Sequence, residues 1–96
     1  MDYTGALSLA AATATNLLTL LIAAGFVRTA LADEVEIVAG AAAITIGSSA
    51  ATAPTGRPVA INAAFLERAA KRGIDLKSIW LYCPSATTIT VNIRGI

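Results

Sequence analysis

The amino-acid sequence predicts a mainly β fold, a small antiparallel β-sandwich or jelly-roll-like barrel with an N-terminal arm and one or two short helices. Apolar and polar residues alternate in several short runs, which is typical of half-buried strands. Single Gly and Pro residues separate these runs, and segments with helical spacing are short. The 96 residues suffice for one domain. We therefore expect an extended arm at 1–15 and a single β-rich domain at 16–96.

The composition is unusually apolar for so short a chain. Charged residues make up 14% and hydrophobic residues 56%, and the mean hydropathy is +0.72; about 25% charged residues is typical. A domain of this size buries only about 60–65% of its unfolded surface. Apolar side chains are therefore expected at the surface, where a membrane or neighbouring proteins would cover them.

The residue types argue against most chemistry. The chain has no His, one Cys and a formal net charge of +1, which disfavours the commonest general base, a cysteine zinc site, a disulfide framework and attraction of nucleic acid. Cys83 is predicted to be a small core residue. Glu34 and Glu36 share a strand face and leave open a weak cation site, although a solvated sheet edge is favoured. We expect no catalytic, cofactor-binding or metal-binding residue.

The first 25 residues lack charge after Asp2. Residues 3–15 suit an extended arm or an edge strand. Asn16 is placed to cap a helix over 17–24, and Gly25 to end it. The uncharged run 3–27 is long enough to span a membrane as a helix, but Asn16 near its centre and the lack of a basic residue before it argue against this.

The middle of the chain is expected to contain strands. The runs 26–31 and 34–38 suit strands, with Val35 and Ile37 facing inward. The run 42–47 resumes after Gly40 and completes a predicted hairpin with 34–38. Residues 47–58 form the longest loop, which provides either binding contacts or a simple crossover.

A second helix is predicted at 63–72, after a short strand at 59–61. Asn62 would cap this helix and Gly73 would end it. It would carry most of the basic cluster, which consists of Arg68, Lys71, Arg72 and Lys77. A solvated helix face is the favoured interpretation of the cluster, a protein contact is second, and nucleic-acid binding is third because no aromatic residues interleave with it.

The C-terminal region gives the strongest strand signal. Two strands at 78–83 and 88–93 are joined by a turn around Pro84. Alternation places Ile79, Leu81, Cys83, Ile89, Val91 and Ile93 in the core. It turns Trp80 and Tyr82 outward, beside Thr88, Thr90, Asn92 and Arg94. Outward aromatics suit an interface, and the candidate interface residues are Trp80, Tyr82, Arg57 and Arg94; cover by the helix or the arm is the alternative.

The order of the segments from Arg28 to Ile96 resembles that of small β-sandwich accessory virion proteins of tailed bacteriophages. The resemblance rests on Glu34–Val38, ITIG (44–47), PTGRPV (54–59), IDLKSIWLYC (74–83) and TTITVNI (87–93). It covers about two-thirds of the chain and includes no catalytic motif. The Leu-rich segment at 17–22 and the predicted helix at 63–72 depart from the plainest members.

The resemblance implies a non-enzymatic capsid decoration (cement) protein on the capsid surface of a virion. Its expected partners are the major capsid protein and further copies of itself, most simply as a trimer, with no nucleic acid or membrane. Residues 1–15 would then order on a neighbouring subunit. The alternatives are a tail, neck or fibre-base component and a small single-span membrane protein.

Overall fold

The structure, a computed structural model, describes residues 3–25, 31–69 and 73–95. Its elements in chain order are β1 (Tyr3–Leu9), β2 (Thr15–Asn16), α1 (Leu17–Ala23), β3 (Leu31–Ala32), β4 (Glu34–Val38), β5 (Ile44–Gly47), β6 (Arg57–Val59), β7 (Ala64–Arg68), β8 (Ile74–Asp75), β9 (Trp80–Tyr82) and β10 (Thr87–Arg94). Two short 3₁₀ helices, Ala53–Thr55 and Leu76–Ser78, precede β6 and β9. The fold is mainly β, as predicted.

The strands form two four-stranded antiparallel sheets. The first sheet has the order β1-β10-β4-β7 and the second the order β2-β9-β5-β6, while β3 and β8 form a small separate pair. The chain passes between the two main sheets six times, directly at β1–β2, β4–β5, β6–β7 and β9–β10, and by way of β3 and β8 at β2–β4 and β7–β9. With this connectivity, the two strand orders are those of a jelly roll, one of the two sandwich forms that the sequence predicts.

The core lies between the two sheets and is entirely apolar among the described residues. Alternation along β4 and β10 buries Val35, Ile37, Ile89, Val91 and Ile93 from the first sheet. The second sheet contributes its own inward row, in which Ile44, Ile46 and Leu81 are buried. The inward residues predicted for these strands are thus confirmed, because a period of two places alternate side chains on one face.

The helix at the start of the chain follows its predicted signals. The Asn16 side chain accepts a hydrogen bond from the Leu18 amide at 3.0 Å, which satisfies a free donor of the first turn. Gly25 has a φ of +83°, the left-handed conformation that ends many helices. Leu17 and Leu21 are buried against the core.

The predicted arm is largely a strand of the domain's own sheet. Tyr3–Leu9 pairs antiparallel with β10 along its whole length, and Leu7 and Leu9 are buried in the core. The prediction of an arm separate from the domain is therefore wrong for residues 3–9, because their alternating leucines fill the sandwich. The edge-strand interpretation of the same residues is correct.

Two predicted pairings are also wrong. β4 and β5 do not form a hairpin, since β4 pairs with β10 and β7 while β5 pairs with β6 and β9. Likewise β9 and β10 lie in different sheets. In both cases the inward residues are correct, because strands that face each other across a core show the same alternation as strands that pair side by side.

The second predicted helix is a strand where the structure describes it. Ala64–Arg68 forms β7, which pairs with β4, and Asn62 has a φ of +60° in the preceding turn instead of capping a helix. Residues 70–72 of that predicted helix, including Lys71 and Arg72, and residues 26–30 of the predicted strand at 26–31 lie outside the described residues. The short strand predicted at 59–61 is found as β6, two residues earlier.

The uncharged run at 3–27 is divided among several elements. Its described part comprises β1, β2 and the seven-residue α1. Within 3–25, 31–69 and 73–95, no helix is long and apolar enough to cross a membrane.

Candidate interaction surfaces

Trp80 and Tyr82 lie on the outer face of the second sheet. Both are half-buried, and they alternate with the buried Ile79, Leu81 and Cys83 as predicted. In the register of this sheet, Trp80 is opposite Gly47 and Tyr82 is opposite Thr45. The two aromatics therefore occupy neighbouring rows of one outer surface.

The segment between β5 and β6 folds back over this surface. The 3₁₀ helix Ala53–Thr55 lies against β5 and β9, and Ala53 is buried. The Thr45 hydroxyl donates to the Ala53 carbonyl at 2.6 Å, and a Cβ on Gly47 would meet the Ala53 backbone at 2.7 Å. Part of the predicted aromatic interface is thus occupied by this loop of the chain itself.

Arg57 lies at a different place, where the edge strands of the two sheets meet. It belongs to β6, and its guanidinium carbon is 5.2 Å from the centre of the Phe65 ring in β7. This cation–π contact bridges the second sheet to the first. Arg57 therefore closes one open side of the sandwich.

Arg94 lies on the outer face of the first sheet, in a row with Glu34 and Arg68. The Arg68 Nε donates to Glu34 at 2.7 Å, and the Arg94 Nε is 3.6 Å from the other oxygen of that carboxylate. The four predicted interface residues are thus distributed over three places, and only Trp80 and Tyr82 lie together. Arg94 is separated from them by the thickness of the sandwich.

The acidic residues of β4 are engaged by neighbouring strands. Glu34 takes part in the row just described, and Glu36 accepts a hydrogen bond from the Asn92 side chain at 2.7 Å. No group of three or more His, Cys, Asp or Glu residues in the described parts of the chain is arranged to hold a metal ion. The solvated sheet edge expected for Glu34 and Glu36 is wrong in its position, because β4 lies between β10 and β7 and both carboxylates lie on the outer face of the sheet.

The remaining candidates are simple to place. Cys83 is fully buried, and its thiol is 3.4 Å from the Ala43 carbonyl. Of the basic cluster, Arg68 pairs with Glu34 and Lys77 lies in the 3₁₀ helix before β9.

An open groove of about 420 Å³ beside the ends of β7 and β8 has Glu67, Asp75 and Ser78 in its wall.

The outer face of the first sheet is a surface that the sequence did not single out. Exposed small side chains line its outermost strand, β1, and continue on β10; they are Thr4, Ala6, Ser8, Thr88 and Thr90. The charged row of Glu34, Arg68 and Arg94 lies at one end. The next row holds Asn92, Glu36 and the exposed Leu66, so the hydroxyl and methyl groups are concentrated on β1 and the neighbouring part of β10. The signal was the Ala/Thr/Ser alternation of residues 3–9, which also suits a free arm.

Comparison of the chain with protein-family models, with curated proteins and with solved structures found no match.

Proposed function

We propose that this protein is a non-enzymatic structural protein of a virion, a capsid decoration (cement) protein that binds the lattice of the major capsid protein as an oligomer and stabilises it. The sequence resemblance to accessory virion proteins suggests this role. A protein in this role needs a rigid domain with a broad surface for contact with other proteins. It does not need a catalytic site.

The observation that supports the proposal best is the outer face of the first sheet. On this four-stranded face Thr90 lies opposite Ala6 of β1 and Val38 of β4. Glu36, in the next row, is hydrogen-bonded to Asn92, and the arginines at the end of the face are paired with Glu34. Protein interfaces are depleted in charge at their centres and require complementary shape. We place the contact with the capsid lattice on this face.

Position on the particle tests the proposal directly. Virions from a host that carries the gene would be purified, analysed by mass spectrometry and labelled with antibody for electron microscopy. We expect many copies on the head, and we expect heads that lack the protein to release their genome at a lower temperature. Label confined to the tail, neck or fibre base would support the alternative role, and absence from purified particles would contradict both.

A pair of variants tests the face. Thr90→Lys adds a long charged side chain at the centre of the proposed contact, whereas Ser85→Lys adds the same group at an exposed position in the β9–β10 connection. We expect Thr90→Lys to lose binding to heads that lack the protein and Ser85→Lys to retain it. Equal binding by the two variants would place the capsid contact elsewhere.

A further inference from the structure

The four edges of the two main sheets differ in how well they resist the addition of another strand. In the second sheet, β2 has two residues, and β6 has three, including Pro58. In the first sheet, β7 ends in Glu67 and Arg68. Short length, proline and charge are the features that protect sheet edges. β1 has none of them, since its seven residues, YTGALSL, include neither charge nor proline.

Within the described residues, no strand other than β10 pairs with β1. In an antiparallel strand, the backbone groups of every second residue point away from the paired neighbour. For residues 4–9, the structure shows the ladder with β10 and no second hydrogen-bonded strand among its described residues. The inward side chains Leu7 and Leu9 are held in the core, so the strand is fixed in position by its own domain.

We propose that β1 binds β1 of a second copy of this chain. The two strands pair antiparallel about a two-fold axis at Ala6, and the four-stranded sheets of the two copies become one continuous sheet of eight strands. This inference deepens the proposed function, because it assigns the self-association on which that function depends.

The order of side chains on β1 favours a second copy over a different partner. The exposed row of Thr4, Ala6 and Ser8 reads hydroxyl, methyl, hydroxyl in either direction. A two-fold axis at Ala6 therefore sets Thr4 opposite Ser8 of the second copy, and Ala6 opposite its own equivalent. Cross-strand hydroxyl pairs are favourable, and no like charges meet. Such an interface is isologous and closes as a dimer, whereas the resemblance alone suggested a trimer.

Charge substitutions at the axis test the pairing. Ala6→Lys and Ala6→Glu each set two like charges face to face, and we expect each to weaken dimerisation about a hundredfold. An equal mixture of the two variants should restore the dimer. Thr90→Lys is the matched control, because Thr90 is exposed and directly opposite Ala6 on the same face; it should remain dimeric. Light scattering and sedimentation would measure the molar mass in solution, which is compared with the 9.7 kDa of one chain. Circular dichroism would confirm that each variant is folded.

Cysteine cross-linking tests the register. Opposed residues of paired strands have Cα atoms about 4.5–5.5 Å apart, within the range of a disulfide. In oxidised glutathione, Ala6→Cys should link two chains, and Thr4→Cys should link only when mixed with Ser8→Cys. The buried Cys83 should leave the unaltered chain unlinked. Thr90→Cys should not link either, unless the first sheets stack face to face.

Several results would overturn the inference. These are a chain that is monomeric at all concentrations, a dimer or trimer that survives Ala6→Lys, and linking of Thr90→Cys in preference to Ala6→Cys. A monomer that loses particle binding through Ala6→Lys and Thr90→Lys alike would assign β1 to the capsid contact and not to self-pairing. The proposed function is judged separately, because presence of the protein on virions does not depend on its mass in solution.

Discussion

Gly47 lacks a side chain at the point where the chain crosses its own sheet. A Cβ there would meet the Ala53 backbone at 2.7 Å, so Gly47→Ala must displace the loop from β5 and β9. We predict a loss of about 1–3 kcal/mol, as for other overpacked sites. Trp80, the only tryptophan, is opposite Gly47, and its fluorescence emission should shift to the red as the loop moves.

Ser48→Ala, at the next and exposed position, is the control for this substitution. It should change the free energy of unfolding by less than about 0.5 kcal/mol and leave the emission unchanged. Urea unfolding and fluorescence spectra measure both quantities. If Gly47→Ala behaved like Ser48→Ala, the loop would not be in close contact with the sheet.

Glu34 is the shared acceptor of the two arginines on the first sheet, and its removal tests what that row contributes. The arginine side chains are about 70% exposed, so solvent and salt screen the interaction. We predict that Glu34→Ala lowers the free energy of unfolding by less than about 1 kcal/mol. The loss should be larger at low salt, because the two arginines that flank β4 then lack the carboxylate between them.

Glu36→Ala is matched to Glu34→Ala in strand and face, but it removes a hydrogen bond from the neutral Asn92 amide. Its effect on unfolding in urea should therefore vary less with salt. A Glu34→Ala loss that is independent of salt would contradict an electrostatic origin. A loss well above about 1 kcal/mol would show that the row is more than a screened surface network.

At the scale of elements, Asn16 links α1 to the 3₁₀ helix Leu76–Ser78. Its oxygen accepts from the Leu18 amide at 3.0 Å, and its amide donates to the Lys77 carbonyl at 2.6 Å. We predict that Asn16→Ala costs about 1–2 kcal/mol. Asn16→Ser should cost less, because a hydroxyl preserves the cap although it does not reach Lys77.

Urea unfolding gives the order of these variants, and hydrogen exchange of Leu17–Ala23 shows where the loss occurs. Faster exchange confined to α1 is expected for Asn16→Ala. If Ser were as costly as Ala, the tie to Lys77 would dominate and the cap would contribute little. If neither variant lost stability, both contacts would be energetically unimportant.

How far the sequence predicts the elements depends on whether a signal is local. The sequence predicted the N-cap at Asn16, the helix end at Gly25 and the alternation of β4, β9 and β10. Each of these features depends on residues that are close in sequence. β7 was not predicted: Ala64–Arg68 contains good helix formers, and pairing with β4 overrides that propensity.

The arrangement of strands was beyond local signals for a related reason. Two consecutive strands bury alternate residues whether they pair in one sheet or lie in opposite sheets across the core. The sequence of β9 and β10 therefore looks like that of a hairpin. This error also placed Arg94 beside Trp80 in the candidate interface, when they lie on opposite outer faces. Residues 3–9 were open to two interpretations until their pairing with β10 was known.

For the molecule as a whole, the six connections that pass between the two main sheets produce a single shared core. Neither sheet buries its inner face alone, and Ile37 of the first sheet and Leu81 of the second belong to one cluster of buried residues. A truncation on either side should therefore weaken both sheets. A domain of this kind is expected to unfold in one cooperative step.

We predict that Ile37→Ala and Leu81→Ala each lower the free energy of unfolding by about 2–5 kcal/mol, because both side chains are fully buried. Leu66→Ala, at an outer position of β7 that is 46% exposed, should cost far less and serves as the control. Urea curves followed by Trp80 fluorescence, which reports on the second sheet, and by far-ultraviolet circular dichroism, which reports on both, should coincide for every variant. Curves that separate for Ile37→Ala would mean that the first sheet unfolds alone, and the single-core account of the jelly roll would then be wrong.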